Sequence, residues 1–182
     1  MANYVCYPMT NVEEHLLANV TAPTGGLKAG QVIVISAIDT TITGNYTQFV
    51  ATQPTTALLK TNRVAIVING GFETLSDGRR PAGQPDYTQY TYPAGATVPV
   101  LVLAPDVTFY LSDDCLAAAA TAGQYLSPAD ASNTLTAGAA RSATALMNAL
   151  VLAKKAFRLG GQFGAQFATG NVCRVMPEYT IA

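Results

Sequence analysis

Arg63-Val64-Ala65-Ile66-Val67-Ile68-Asn69-Gly70-Gly71 reads as a β-branched strand running into a turn. Valine and isoleucine fit a pleated, half-buried surface, and Asn-Gly tolerates the positive φ that tight hairpin turns demand. The same signature recurs on both sides of this stretch. Gln31-Val32-Ile33-Val34-Ile35 lies between Lys28-Ala29-Gly30 and Asp39, and Tyr46-Thr47-Gln48-Phe49-Val50 alternates after Gly44-Asn45. Thr97 to Leu103 and Val107 to Leu111 are two further strands, joined across Pro105-Asp106. Loops this short leave no room for crossover helices, which predicts a mainly β fold, an antiparallel sandwich or small barrel.

The C-terminal third reads as mixed. Ser112-Asp113-Asp114 ahead of Cys115-Leu116-Ala117-Ala118-Ala119-Ala120, with Gly123 behind, carries the start and stop signals of a short helix. Gln124-Tyr125-Leu126 and Asn133-Thr134-Leu135-Thr136 form a hairpin around Pro128 to Ser132. Leu146, Ala149, Leu150, Ala153 and Phe157 fall on one face of a 3.6-residue period, which predicts a longer helix near 140–159. Lys154, Lys155 and Arg158 would complement its C-terminal dipole, and Gly160-Gly161 would stop it. Asn171 to Met176 closes the chain as a strand. Residues 1–26 read as an irregular or extended N-terminal arm, and 27–182 as a single β-rich domain with a long polar excursion at 69–95.

Charge narrows the function classes. The 182 residues hold 10 Lys+Arg and 11 Asp+Glu, a formal net charge of −1, and only 12% are charged against about 25% in ordinary domains. That balance argues against an electrostatic nucleic-acid binder and gives no reason to expect an anionic membrane as partner. A surface this poor in charge resists association weakly and suits a protein working within an assembly. No run approaches the 18 apolar residues of a membrane helix. Met1-Ala2-Asn3-Tyr4-Val5-Cys6-Tyr7-Pro8 lacks the basic region and apolar core of a secretion signal, so synthesis in a cytoplasm is expected. Cys6, Cys115 and Cys173, an odd count without a close pair, read as reduced, buried thiols.

Catalytic signals are weak. His15 is the one histidine and has no nucleophile near it in sequence, whereas Ser-His or Cys-His chemistry needs the imidazole held against one. Cys6, Cys115, Cys173 and His15 lack the paired spacing of zinc ligands. Asp113-Asp114 is better read as acids at a helix N-terminus than as a cation site. Gly160-Gly161-Gln162-Phe163-Gly164 follows a helical pattern instead of opening one, the wrong context for a phosphate loop. No enzyme, metal or cofactor is expected. In the 69–95 excursion, Arg79-Arg80 stand beside Tyr87, Tyr90 and Tyr92, the residue types that protein interfaces favour. This segment is either an exposed interaction loop or a hairpin tip with its tyrosines on one strand face, and the two readings are compatible.

Leu27-Lys28-Ala29-Gly30-Gln31-Val32-Ile33-Val34 resembles a strand of tailed-bacteriophage capsid decoration (cement) and head-fibre base proteins. So does Ala122-Gly123-Gln124-Tyr125-Leu126-Ser127-Pro128-Ala129-Asp130, with Asn133 to Gly138 behind it. The resemblance covers residues 27 to about 176 and transfers no binding residue. It implies a virion protein on the outer face of an icosahedral shell, with the major capsid protein as partner and a homotrimer as its assembly. An arm that orders on binding loses about 2–5 kcal/mol in entropy, and many such contacts add across a lattice. Tyr4, Tyr7, Glu13 and His15 are the expected capsid or protomer contacts, and Arg79, Arg80, Tyr87, Tyr90 and Tyr92 the exposed-loop contacts. Deleting residues 2–15 is expected to leave the fold intact and to weaken shell binding. The alternative is a carbohydrate- or host-surface-binding module that uses Tyr87, Tyr90 and Tyr92 as stacking platforms.

Overall fold

The computed structural model describes residues 4–8, 12–42, 44, 47–69, 89–105, 107–159 and 168–179. Its elements are, in chain order, β1 Cys6–Pro8, a 3₁₀ turn Glu14–Leu16, β2 Leu17–Thr21, β3 Leu27–Lys28, β4 Val32–Ile38 and β5 Gln48–Thr52. The helix α1 Thr56–Thr61 leads into β6 Arg63–Val67, and β7 Thr91–Tyr92 and β8 Thr97–Val102 follow. Then come β9 Phe109–Ser112, a 3₁₀ turn Asp113–Cys115, β10 Tyr125–Pro128, β11 Leu135–Gly138, β12 Met147–Leu159 and β13 Ala168–Tyr179.

Two β bodies share the chain. One is a closed five-stranded barrel in the order β2-β5-β4-β6-β8, antiparallel except for the parallel β2–β5 pair. The other is a six-stranded antiparallel sheet, β1-β9-β13-β12-β10-β11. The near-continuous apolar runs of the sequence now have a cause. Ile33, Ala65, Val67, Val98 and Val100 fill the barrel with Val20, Ala22, Leu27 and Ala51. The alternate residues Val32, Val34, Val64, Ile66, Leu101 and Leu103 leave the barrel and meet the sheet. The sheet answers with Cys6, Phe109, Leu111, Leu126, Leu135, Met147, Ala149, Val151, Cys173 and Val175. A strand buried on both faces needs apolar side chains at every position, so β4, β6 and β8 lack the usual alternation. The ribbon β3–β7, with Leu27 opposite Tyr92, lies against the barrel core at the end formed by Val20, Val67 and Val98.

The expected helix near 140–159 is a strand, and this corrects the sequence reading. Residues 147 to 159 pair with β13 from Met147↔Tyr179 to Leu159↔Ala168. Ala149 suits either period, but the buried set is Met147, Ala149 and Val151, spaced by two. The lysines thought to complement a helix end serve other partners: Lys154 donates to the Ala120 carbonyl at 2.8 Å and pairs with Asp113 at 2.7 Å. A register shift between Val151 and Ala153 sets Leu152 outward. Helix-favouring Ala, Leu and Lys are a weak preference that ladder pairing on both sides overrides. The short helix expected after Ser112 is a single 3₁₀ turn, because Leu116 bridges to Leu135 and draws the chain out of helical geometry. Two helical turns have too few hydrogen bonds to resist that. Among the described residues the one α-helix is α1, over which no helix was expected; the Thr55 side chain accepts from Leu58 N at its start and Leu59 buries into the core.

The arm expected over 1–26 is in its described residues worked into both bodies. β1 pairs with β9, burying Val5 and Cys6, and β2 is a barrel strand between β5 and β8. Short strands holding Pro8, Ala18 and Asn19 carry little β signal of their own, and long-range pairing defines them.

Asp39 ties the β4 end to β2. Its Oδ1 accepts from Thr41 N and Thr41 Oγ1 at 2.9 and 2.6 Å, and its Oδ2 accepts from Thr21 Oγ1. The Thr21 hydroxyl, then the Thr41 hydroxyl and amide, hold its carboxyl below the ordinary aspartate value. A lowered folded-state pKa means that the ionised side chain contributes its full stabilisation above the unfolded value of about 3.9. The contribution is lost as pH falls from there through the folded value. Asp39→Asn is expected to lower stability at neutral pH and to flatten the acid limb of the stability curve below about pH 4. Urea melts of both proteins across that range test it; parallel curves would show that Asp39 does not carry this part of the acid limb.

Candidate functional site

At the barrel end formed by the start of β2 and the end of β8, a cleft of about 830 Å³ opens. Ala18, Ile35, Phe49 and Val102 line it from the barrel strands, with Arg63 at the start of β6. Glu14, His15, Asn19, Ser36, Thr47 and Asn62 give it polar lining. His15 Nδ1 pairs with Glu13 Oε2 at 3.2 Å, and both side chains are largely exposed, 68% and 76%. Glu13 and His15, both expected as capsid or protomer contacts, thus stand side by side at the barrel mouth. None of the three thiols is near enough to water to act with the imidazole: Cys6, Cys115 and Cys173 are all buried. Burial pushes the Cys115 and Cys173 thiols up to about 11 and raises Cys6 well above its ordinary value, with Cys115 beside it adding to the effect. Such thiols stay protonated and inert at neutral pH. Among the described residues no group of three or more His, Cys, Asp or Glu is placed to hold a metal ion. Asp113 of the acidic pair is engaged by Lys154.

The second arrangement lies on the sheet face turned away from the barrel. Tyr7 of β1, Tyr110 of β9, Arg174 of β13 and Ala153 of β12 are successive register partners across four strands. The Tyr7 and Tyr110 rings stand 5.2 Å apart, tilted by 49°. Lys155 Nζ sits 4.7 Å from the Tyr110 ring centroid and donates to its hydroxyl at 3.0 Å. The Tyr110 hydroxyl raises the Lys155 pKa, against a smaller opposing push from Arg174. Desolvation, then Tyr110, raises the Tyr7 phenol, and Lys155 works the other way. Tyr7 is 40% exposed, and Lys155 and Arg174 are exposed. Of this cluster the sequence reading singled out Tyr7 alone. Residues 7, 110, 155 and 174 are brought together by three ladders, and no local motif announces them.

The remaining expected contacts are dispersed. Tyr4 is half-buried with Lys28 Nζ 4.7 Å from its ring centroid, and its carbonyl accepts from Asn69 Nδ2. Tyr90 and Tyr92 stack edge to face at 5.0 Å, with Tyr92 packed on the barrel core. An aromatic ring committed to the core offers little face to a sugar. Arg79, Arg80 and Tyr87 lie outside the described residues, as does most of the 69–95 excursion.

No known protein family, curated protein or solved structure matches the chain.

Proposed function

We propose that this chain is a structural virion protein that binds the outer surface of an icosahedral phage capsid and stabilises it as a homotrimer. The observation that carries this reading is the outer wall of the barrel. Along β2 and β5 the residues alternating outward are Leu17, Asn19, Thr21, Gln48, Val50 and Thr52, and none is charged. Leu17 and Val50 are 45% and 37% exposed, and Ile38 and Ile42 at and beyond the end of β4 are also exposed. A wall without an exposed charge, since the Asp39 carboxylate beside Thr21 is buried, and with exposed aliphatic side chains opposes association poorly and fits packing against a second copy. The chain then meets its shell through another surface.

Co-sedimentation with purified capsids of the encoding phage tests the function. Binding is expected to saturate at a fixed ratio to the major capsid subunit, and the free chain to sediment at three times its 19.0 kDa mass. Val50→Asp should dissociate the trimer without unfolding the protomer, since Val50 faces water. Failure of the wild-type chain to pellet at concentrations far above micromolar would overturn the reading.

A further inference from the structure

We propose that the Tyr7–Tyr110–Lys155–Arg174 face of the six-stranded sheet is the surface that meets the capsid, and that it recognises an acidic protein surface there. This rests on the capsid-decorating reading above. Three observations carry it. The two cations stand on one face and have the same sign. Among the described residues Arg174 has no ion-pair partner, while Lys154 of β12 and Arg141 of the β11–β12 connection are matched by Asp113 and Glu178. Two unmatched positive groups on an exposed face call for negative groups on whatever covers it.

The second observation is pre-organisation. Lys155 is already held over the Tyr110 ring and by its hydroxyl, so docking costs less side-chain entropy than a free lysine would. Tyr7 and Tyr110 add rigid aromatic area of the kind that dominates interface energetics. The third is placement. The face lies on the far side of the sheet from the barrel, and so leaves the uncharged β2–β5 wall clear for self-association. A second copy apposed face to face by a two-fold axis would bring Lys155 and Arg174 against their own equivalents, which like-charge repulsion disfavours. Two cations on a chain of net charge −1 also fall short of the phosphate neutralisation that nucleic-acid binding requires.

Retention of the full-length chain on immobilised poly-L-glutamate tests the face chemistry without capsids. Wild type is expected to be retained despite its acidic pI of 5.7 and to elute with salt. The variant Lys155→Glu/Arg174→Glu should flow through, and Lys155→Gln/Arg174→Gln should elute early. All these positions are exposed, so circular dichroism melts should coincide with wild type. In capsid pelleting, the charge reversal should lose tenfold or more in affinity. Wild-type binding should weaken between 0.1 M and 1 M salt, where the screening length falls from about 10 to about 3 Å. Equal capsid binding by wild type and the reversal variant would overturn this assignment and leave the decorating role standing. Wild type that binds poly-L-glutamate but no capsid would overturn the role itself, and the capsid as partner with it. Retention on duplex DNA as strong as on poly-L-glutamate would overturn an acidic protein as the partner.

Discussion

Alanine at Gly30 is expected to lower folding stability by about 2–6 kcal/mol, from backbone strain and overpacking acting together. Gly30 turns the chain from β3 into β4 at φ +80°, a conformation that costs an L side chain energy wherever it occurs. It also lies directly on the Cys115 side chain. A Cβ there would stand 2.3 Å from Cys115 Sγ, 2.5 Å from Cys115 Cβ and 3.1 Å from Leu111 Cδ1. The sulfur cannot move aside easily, because Ser112 Oγ lies 3.2 Å away and the Ala29 and Val5 carbonyls flank it at 3.5 and 3.7 Å. The Cβ of Cys115 cannot move without its backbone. The turn itself is fixed by Gly30 N donating to the Val67 carbonyl at 2.7 Å, which joins the barrel to the turn. Urea denaturation of Gly30→Ala measures the effect against a total of about 5–15 kcal/mol. In a Cys115→Ala background the penalty should shrink but persist, since the 2.5 Å Cβ contact and the positive φ remain. A variant as stable as wild type would mean that Gly30 does not hold this left-handed contact.

Gly30 also marks how far local sequence carries the fold. Around it, Val32 to Ile35, Val64 to Val67 and Val98 to Val102 are legible because burial on both strand faces makes these runs continuously apolar, and such runs have few other uses in 182 residues. The hairpin of β10 and β11 is legible from its turn chemistry, with Ala131 at φ 50° among Pro128 to Ser132. β12 is misread for a physical reason: Leu, Ala and Lys favour a helix locally, and the evidence against it lies outside the segment, in the ladder with β13 that runs from Met147↔Tyr179 to Leu159↔Ala168. In the fold Met147, Ala149 and Val151 are buried with period two, Ala149 and Val151 opposite Pro177 and Val175, but Leu146, Leu150 and Leu152 mask that period in the sequence. The candidate site is less legible than the fold. Its four side chains come from strands at the two ends and the middle of the chain; register puts Tyr7, Tyr110 and Arg174 on one row, with Lys155 two residues along β12 from the Ala153 that completes it. His15 drew attention because histidine is rare here, yet its described partner is an exposed glutamate.

Removing residues 2–8 is expected to destabilise the chain by about 3–6 kcal/mol, the opposite of what an independent arm predicts. Val5 and Cys6 are 1% and 0% exposed, so their loss opens the core over Phe109 and Leu111. Buried polar groups would be stranded as well. Ser112 Oγ accepts from Val5 N at 2.9 Å, and Ser112 N donates to the Val5 carbonyl at 2.9 Å. Asn69 spans β1 from the other side: its Oδ1 accepts from Cys6 N at 2.6 Å, its Nδ2 donates to the Tyr4 carbonyl, and its amide donates to the Cys6 carbonyl at 2.8 Å. β9 would become a bare sheet edge, open to pairing with other chains. Thermal and urea melts of the truncated chain should show the loss, with raised aggregation on heating; a wild-type melt would mean that β1 contributes nothing to the fold. Because Cys6 faces the core and Tyr7 faces outward on the same strand, truncation confounds fold and binding. Tyr7→Ala separates them. It removes a 40% exposed ring that stacks on Tyr110, should cost about 0.5–1.5 kcal/mol, well short of the truncation, and should still weaken retention on the acidic probe.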